Sequence, residues 1–246
     1  MQTDLYIDGN WVPSQSAQRF DVMNPATEDV IASVASADIF DADLALNAAS
    51  TAMQEWAARS PRDRSEVLRK AWELMTARLP EFARLITLEN GKANADAMGE
   101  ATYAAEFFRW FAEEAVRVDG LIAHAPASGA RIIVQHKPAG LAVLVIPWNY
   151  PAAMGTRKIA PALAAGCAVI IKPASETPLT MLALMPLLEE AGVPKGVVNV
   201  LPSRNTGVLV DHMLHDPRVR VVSFTGSTEV GRKLLHSAAD QVLKPA

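Results

Sequence analysis

The chain is predicted to be an α/β protein whose carboxy-terminal half is a doubly wound parallel sheet. Three observations carry that prediction. Leu141 to Ile146 is a run of six apolar residues between Gly140 and Pro147, the pattern of a short strand buried on both faces. A helical pattern follows from Ala152 to Ala165, with Met154, Ile159 and Leu163 as its apolar positions and Gly166 as a left-handed stop. A second buried strand, Ala168 to Ile171, then ends on Lys172-Pro173. The same rhythm continues to the end of the chain. It gives a helix at Leu179–Glu190, a strand at Val197–Leu201, a helix at Gly207–His215, a strand at Val219–Phe224 and a helix at Ser227–Ala239. Four buried strands with helical crossovers make a parallel, doubly wound sheet.

The amino-terminal half reads differently. Leu5-Tyr6-Ile7 and Trp11-Val12 flank Asp8-Gly9-Asn10, the form of a small hairpin. Phe20 to Met23 and Val30 to Val34 are further extended runs separated by the turn cluster Asn24-Pro25-Ala26-Thr27. An Ala-rich helix over Asp41–Arg59 is expected to bury Leu44, Ala48, Ala52 and Trp56. Ser60 caps the next helix, with Pro61 in its first turn and Asp63 near its positive end. Its stripe is Val67, Leu68, Ala71, Trp72 and Met75. Pro80–Leu88 is a third helix, closed by Asn90-Gly91. Ala93–Val116 is a fourth, whose aromatic stripe Tyr103, Phe107, Trp110 and Phe111 is expected to be core. Asp119 to Ala130 is the best break in the chain, followed by an extended run from Arg131 to Gln135. The expected division is 1–120, a linker and strand over 121–140, and the parallel unit over 141–246.

Composition bounds the function. The 246 residues are 50% hydrophobic and 20% charged with a net charge of −4, which leaves no basic field for nucleic acid and no polybasic membrane patch. No apolar run approaches the length of a membrane span, and the amino terminus lacks the basic and apolar regions of a secretion signal. A single cysteine excludes an internal disulfide framework and suits a reducing cytoplasm. The five histidines show no metal-ligand spacing, and His212 and His215 are read as surface residues.

Ligands of parallel sheets bind at the carboxyl ends of the strands. Asn149 lies past the first parallel strand, held between Pro147 and Pro151; Lys172 ends the second; Gly226 and Ser227 follow the last in Phe224-Thr225-Gly226-Ser227-Thr228-Glu229-Val230-Gly231. From the residues alone, each has two readings. Asn149 is a helix cap or an amide donor to an oxyanion. Lys172 is a solvated strand-end lysine or a ligand group. Gly226-Ser227 is turn geometry or an anion site at a helix start. Cys167, between a helix stop and a buried strand, behaves as a small hydrophobe.

These segments also carry a resemblance. IPWNYP, TRKIAPALAAGC, IIKPASETP and FTGSTEVG resemble, in order and across essentially the whole chain, the signature segments of the aldehyde dehydrogenase superfamily, and most closely its NADP-dependent succinate-semialdehyde dehydrogenase branch. The resemblance implies a Rossmann-like cofactor domain preceded by a hairpin and helices, with the strand near residue 131 in an arm used for oligomer contact. It implies that Ile146, Trp148, Lys172, Pro173, Ala174, Ser175, Gly226 and Ser227 bind the cofactor and that Asn149 holds the oxyanion. It implies further that Lys158 supports catalysis beside a catalytic carboxylate, and that Arg157 grips the distal carboxylate of a semialdehyde with its planar fork. Cys167 falls on a packing site of the family. A glutamate at the position of Ser175 would repel a 2′-phosphate, by about 4 kcal/mol at ~4 Å and an effective dielectric near 20. Serine removes that repulsion, so NADP is expected, with NAD possible. The catalytic glutamate and nucleophilic cysteine of the family fall beyond Ala246. The chain alone is therefore expected to be inactive, as a cofactor-binding portion of an oligomeric enzyme or, alternatively, as a truncated, non-catalytic nucleotide-binding protein.

Overall fold

Residues 1–246, described by a computed structural model, build one seven-stranded sheet with helices on both faces and two separate two-stranded ribbons. The chain opens with the hairpin β1 (Leu5–Ile7) and β2 (Asn10–Val12). Its two turn residues, Asp8 and Gly9, have φ of 52° and 70°, the primed turn that matches strand twist. β3 (Arg19–Met23) and β4 (Val30–Ala35) pair only with each other. Four helices follow: α1 (Ile39–Ala58), α2 (Pro61–Ala77), α3 (Leu79–Asn90) and α4 (Asn94–Ala115). Ser60 and Asp63 form the capping box of α2, with Pro61 in the first turn as the sequence predicts. Gly91 closes α3 in the left-handed region.

From Leu141 the strand–helix alternation appears as read: β7 (Leu141–Val145), α5 (Pro151–Ala164), β8 (Val169–Lys172), α6 (Leu179–Ala191), β9 (Val198–Val200), α7 (Thr206–Leu214), β10 (Val219–Phe224) and α8 (Thr228–Asp240), and a short fifth parallel strand not expected from the sequence, β11 (Lys244–Pro245), follows. The strand order is β11-β10-β7-β8-β9-β1-β2, with β11, β10, β7, β8 and β9 parallel and β1 antiparallel to β9. The amino-terminal hairpin therefore extends the parallel sheet rather than standing apart from it. Strand alternation divides the core. Ala142, Leu144 and Ile146 join a cluster with α2 to α6, whereas Leu141, Val143 and Val145 join one with α1 and α7. No helix is long and apolar enough to cross a membrane.

Three expectations are corrected. The buried face of α1 is Ala42, Ala45, Leu46 and Ala49 with Trp56; Leu44 is exposed, and Ala48 and Ala52 are half-buried. An alanine-rich helix carries too little pattern to choose its face, and the small side chains win because they let it approach the sheet closely. The aromatic stripe of α4 reaches only the edge of the core, where Phe107 and Phe111 pack against it. Tyr103 and Trp110 are 48% and 60% exposed, and Phe107 and Phe111 are half-buried. The buried face consists of Ala97, Ala101, Ala104, Ala105, Phe108, Ala112 and Ala115, which fit α4 between α2 and α5. Finally, the expected break at Asp119–Ala130 contains β5 (Leu121–His124), which pairs antiparallel with β6 (Arg131–Val134) in a ribbon exposing Leu121, Ile122 and Ile133.

Helix α5, the hub of the larger cluster, is tied at its carboxyl end by side chains from α1 and α2. The Trp56 indole donates to the Leu163 carbonyl at 3.1 Å and the Arg64 Nε to the Ala164 carbonyl at 3.0 Å. Gly166 then turns the chain toward β8 at φ 85°, where an added Cβ would lie 2.9 Å from Pro138 Cγ. Gly166→Ala combines a left-handed alanine with that contact. It is expected to lower unfolding free energy by about 1–3 kcal/mol in urea titrations; a neutral result would contradict the strain argument.

Candidate functional site

In the sheet the chain runs outward from β7 through β8 to β9, then returns to place β10 on the other side of β7. Crossovers leaving in opposite directions open a crevice at the carboxyl ends of β7 and β10. Asn149 lies past the end of β7, Lys172 ends β8, and Gly226 and Ser227 follow β10, so the topology brings them to one rim. Lys158, on α5, reaches the same rim: its Nζ donates to Ser223 Oγ at 2.6 Å, and Ser223 pairs with Leu144 across β10 and β7.

Asn149 and Trp148 are exposed on the turn between β7 and α5. The helix-cap reading of Asn149 does not hold: the cap position of α5 is Tyr150, and no side chain there accepts a bond. The cap comes instead from α4. The buried Glu100 carboxylate accepts from the Ala152 and Ala153 amides at 2.9 and 3.3 Å, where the helix dipole favours a negative charge. The Asn149 side-chain amide is left without a partner in the chain. Ile146 packs its side chain into the core, so it presents only backbone to the crevice, and its amide donates to the Lys172 carbonyl at 3.2 Å.

Lys172 is 4% exposed and its ammonium has no hydrogen-bonding partner in the chain. Burial, partly opposed by Glu176, pushes its pKa down to about 8. Lys158 is also lowered to about 8, by burial first and then by the neighbouring Arg157 charge. Pro173 and Ala174 are buried, while Ser175 is half-exposed with its hydroxyl toward Glu176 at 3.3 Å. The loop that holds them ends on α6, and this helix too is capped from a distance. Glu89 of α3 accepts from the Leu179 and Thr180 amides at 2.7 and 2.8 Å and from the Thr180 hydroxyl.

Gly226 is exposed before α8, and an added Cβ would lie 2.5 Å from the Phe224 ring, so close approach demands glycine here. Ser227 is the cap of α8, its Oγ accepting from the Val230 amide at 3.3 Å. That use leaves the hydroxyl proton free to donate to an anion at the helix start. Beside it, α7 and α8 enclose a cleft of about 550 Å³ with Val145 at its floor and Val208, Val230 and Leu234 on its walls. A larger groove, about 620 Å³ between α3 and α6, lies away from the strand ends.

Arg157 stands apart from the rim. It is exposed on α5, eight residues and roughly 12 Å along the helix from Asn149, with its guanidinium 5.8 Å from the centre of the Phe107 ring. Cys167 is buried, as expected of a packing residue. No group of three or more histidine, cysteine, aspartate or glutamate side chains is placed to hold a metal ion. Sequence reasoning missed Glu89 and Glu100. Their signal was present: Glu100 is in phase with Ala97, Ala101 and Ala104, and Glu89 with Leu85 and Ile86, so each is a carboxylate on a buried stripe. The α7–α8 cleft was also missed, because its walls read as ordinary helix apolar residues.

The profile of the aldehyde dehydrogenase family matches residues 11–246. A succinate-semialdehyde dehydrogenase of Paenarthrobacter nicotinovorans is 49% identical over 215 residues, covering 87% of this chain and 48% of that protein. A 3-sulfolactaldehyde dehydrogenase of Pseudomonas putida is 42% identical over 247 residues, covering 99% and 50%. The crystal structure of an E. coli NADP-dependent enzyme superposes with a TM-score of 0.97 at 41% identity, covering 99% of this chain and 50% of that one. The chain thus spans about half the length of the relatives it matches.

The Glu89 cap makes stability depend on pH. Burial outweighs the three donated hydrogen bonds and raises its pKa from 4.5 to about 7. Between those values the folded state holds a proton that the unfolded state releases, so this group's contribution falls as pH rises through the window and is fully retained below 4.5. Unfolding titrations at several pH values should show a decline on the order of 2 kcal/mol across the window, flattened in Glu89→Gln. Equal slopes in both proteins would refute the assignment.

Proposed function

The chain belongs to the aldehyde dehydrogenase family, and on that footing we propose that it is the cofactor-binding portion of an enzyme that oxidises an anion-tailed aldehyde, succinate semialdehyde first, to the acid with NADP. The observation that supports this reading is Lys172, whose side-chain stem is buried at the end of β8 while its ammonium makes no hydrogen bond in the chain, followed by Ser175 rather than a carboxylate. An ammonium presented in this way favours hydroxyl and phosphate oxygens. Serine adds a donor and no repelling charge. Gly226 and Ser227 offer the α8 helix start to the pyrophosphate, and the α7–α8 cleft is an apolar slot for the flat adenine. Pro173 and Ala174 shape the loop around the ribose, and the Ile146 backbone and Trp148 border the nicotinamide end. NADP supplies the hydride acceptor; NAD fits the same surface with fewer contacts.

The free Asn149 amide donates to the aldehyde oxygen as negative charge builds on it. Lys158, bonded to Ser223, supports the polar floor beside it. Arg157 receives the distal anion of the substrate, a carboxylate in a semialdehyde and a sulfonate in the substrate named for the Pseudomonas relative. No residue of this chain is assigned as the nucleophile, since Cys167 is core; we assign that thiol and the catalytic carboxylate to the part of the longer relatives that this chain does not span. We place the enzyme in the cytoplasm, in keeping with a single unpaired cysteine, and assign the exposed β5–β6 ribbon to contact with a second copy.

Calorimetric titration of the chain should show NADP binding at least about tenfold more tightly than NAD, with Ser175→Glu reversing the order. Because Lys172 is charged only below about 8, NADP affinity should fall as pH rises through that value, and Lys172→Met should lose the dependence. Tight NAD binding without NADP binding would overturn the cofactor assignment. In the full-length enzyme, Arg157→Ala should raise KM for the semialdehyde by about 10²-fold or more, the worth of a lost charged pair, with little change in kcat. Equal efficiency for the variant and the parent would rule out an anion-tailed substrate at Arg157.

A further inference from the structure

The α3–α4 junction does more than cap α5. Asn90, the last residue of α3, donates its side-chain amide to the Trp148 carbonyl at 2.9 Å. Lys92, two residues on, donates its ammonium to the Asn149 carbonyl at 3.0 Å and to the Glu100 carboxylate, and sits 3.8 Å from the centre of the Tyr150 ring. The Lys92 side chain is 14% exposed and that of Glu100 fully buried, so the pair is shielded from solvent screening.

The geometry of these bonds is informative. The Trp148 carbonyl belongs to the peptide plane before the Asn149 Cα, and the Asn149 carbonyl belongs to the plane after it. Holding both planes sets φ and ψ of Asn149, and therefore the direction of its Cα–Cβ bond. The side-chain amide beyond that bond is itself held by nothing in the chain. Capping α5 requires only Glu100; neutralising Glu100 requires only an ammonium nearby. Neither task needs bonds to the two carbonyls flanking Asn149.

We propose that Lys92 and Asn90 are positioning residues that aim the Asn149 amide from behind, with Glu100 anchoring Lys92. This rests on the oxyanion role proposed for Asn149. The clamp works entirely through backbone, which leaves both amide protons of the side chain for a ligand. Preorganised donors are effective because they need no reordering when charge appears, and a displacement of about 1 Å at such a group costs on the order of 10²-fold in rate.

Two measurements test this. In the chain itself, Lys92→Met keeps a side chain of similar length and removes the ammonium from Glu100, the Asn149 carbonyl and the Tyr150 ring. Amide hydrogen exchange of residues 149–154 should rise about tenfold, the loss of one charged hydrogen bond, with β7 and β8 unchanged. Asn90→Ala, at a partly exposed position, should raise it by less, and it serves if Lys92→Met folds poorly. Unchanged exchange in the turn in both variants overturns the clamp. In the full-length enzyme, Lys92→Met should lower kcat/KM for the aldehyde about 10²-fold without altering the Kd for NADP, and should add under threefold when Asn149 is already alanine. Additive losses in the double variant overturn positioning through Asn149. An Asn149→Ala enzyme with parental kcat/KM refutes the oxyanion reading instead, and the exchange experiment still decides the clamp.

Discussion

The two helices that follow β7 and β8 begin without a local cap, and this constraint organises the site. An α-helix leaves its first amides unsatisfied, and burying them without acceptors costs several kcal/mol. Here the acceptors are carboxylates from elsewhere in the chain, Glu100 for α5 and Glu89 for α6. The consequence falls on the residues just ahead of each helix. Because neither Asn149 nor Ser175 is consumed in capping, both remain near the strand ends, Asn149 with its side-chain amide unpaired and Ser175 with its hydroxyl toward Glu176. Helix α8, capped by its own Ser227, shows the ordinary alternative, in which the residue proposed to meet a ligand also closes the helix.

The amino-terminal helices are therefore the second layer of the site. Helices α3 and α4 carry Glu89 and Glu100 on faces that are otherwise alanine, leucine, isoleucine and phenylalanine. The alanines are what allow it: a leucine at Ala101 or Ala104 would hold α4 away from α5 and take the carboxylate out of reach of the helix start. Trp56 and Arg64 then satisfy the opposite end of α5. One helix is thus held at both ends by buried side chains of matched polarity, and Lys158 and Arg157 project from its middle to different sides.

What was legible in the sequence follows from range. The strands from Leu141 onward, the Ser60–Asp63 cap, the turn at Asp8-Gly9 and the stop at Gly166 are all written in contiguous residues and emerged where expected. The rim residues Asn149, Lys172, Gly226 and Ser227 were legible because strand ends converge in any parallel sheet. The faces of α1 and α4 were not, since burial there is decided by which partner helix must approach closely. The stripe from Tyr103 to Phe111 has helical spacing but flanks the alanine face, with Phe107 and Phe111 packed at the edge of the core, and periodicity alone does not say which of two apolar faces turns inward. The distant caps were legible only as carboxylates on buried stripes, not as caps, for a related reason: Glu100 and Ala152 are 52 residues apart, and no local pattern links them.

The same economy of partners bears on the proposed cofactor site. Lys172 and Lys158 are both buried amines with lowered pKa, but only Lys158 has a protein acceptor, Ser223. The Lys172 ammonium makes no hydrogen bond in the chain, and the nearby Glu176 carboxylate partly offsets the desolvation of its stem. In the proposed reading, hydroxyl or phosphate oxygens arriving there meet donors that the chain has not used. A carboxylate at residue 175 would add a second internal partner beside Glu176 and compete with any ligand for the same ammonium. The serine leaves those donors open, so in the proposed reading the residue at this one position bears on the strength of binding as well as on cofactor preference.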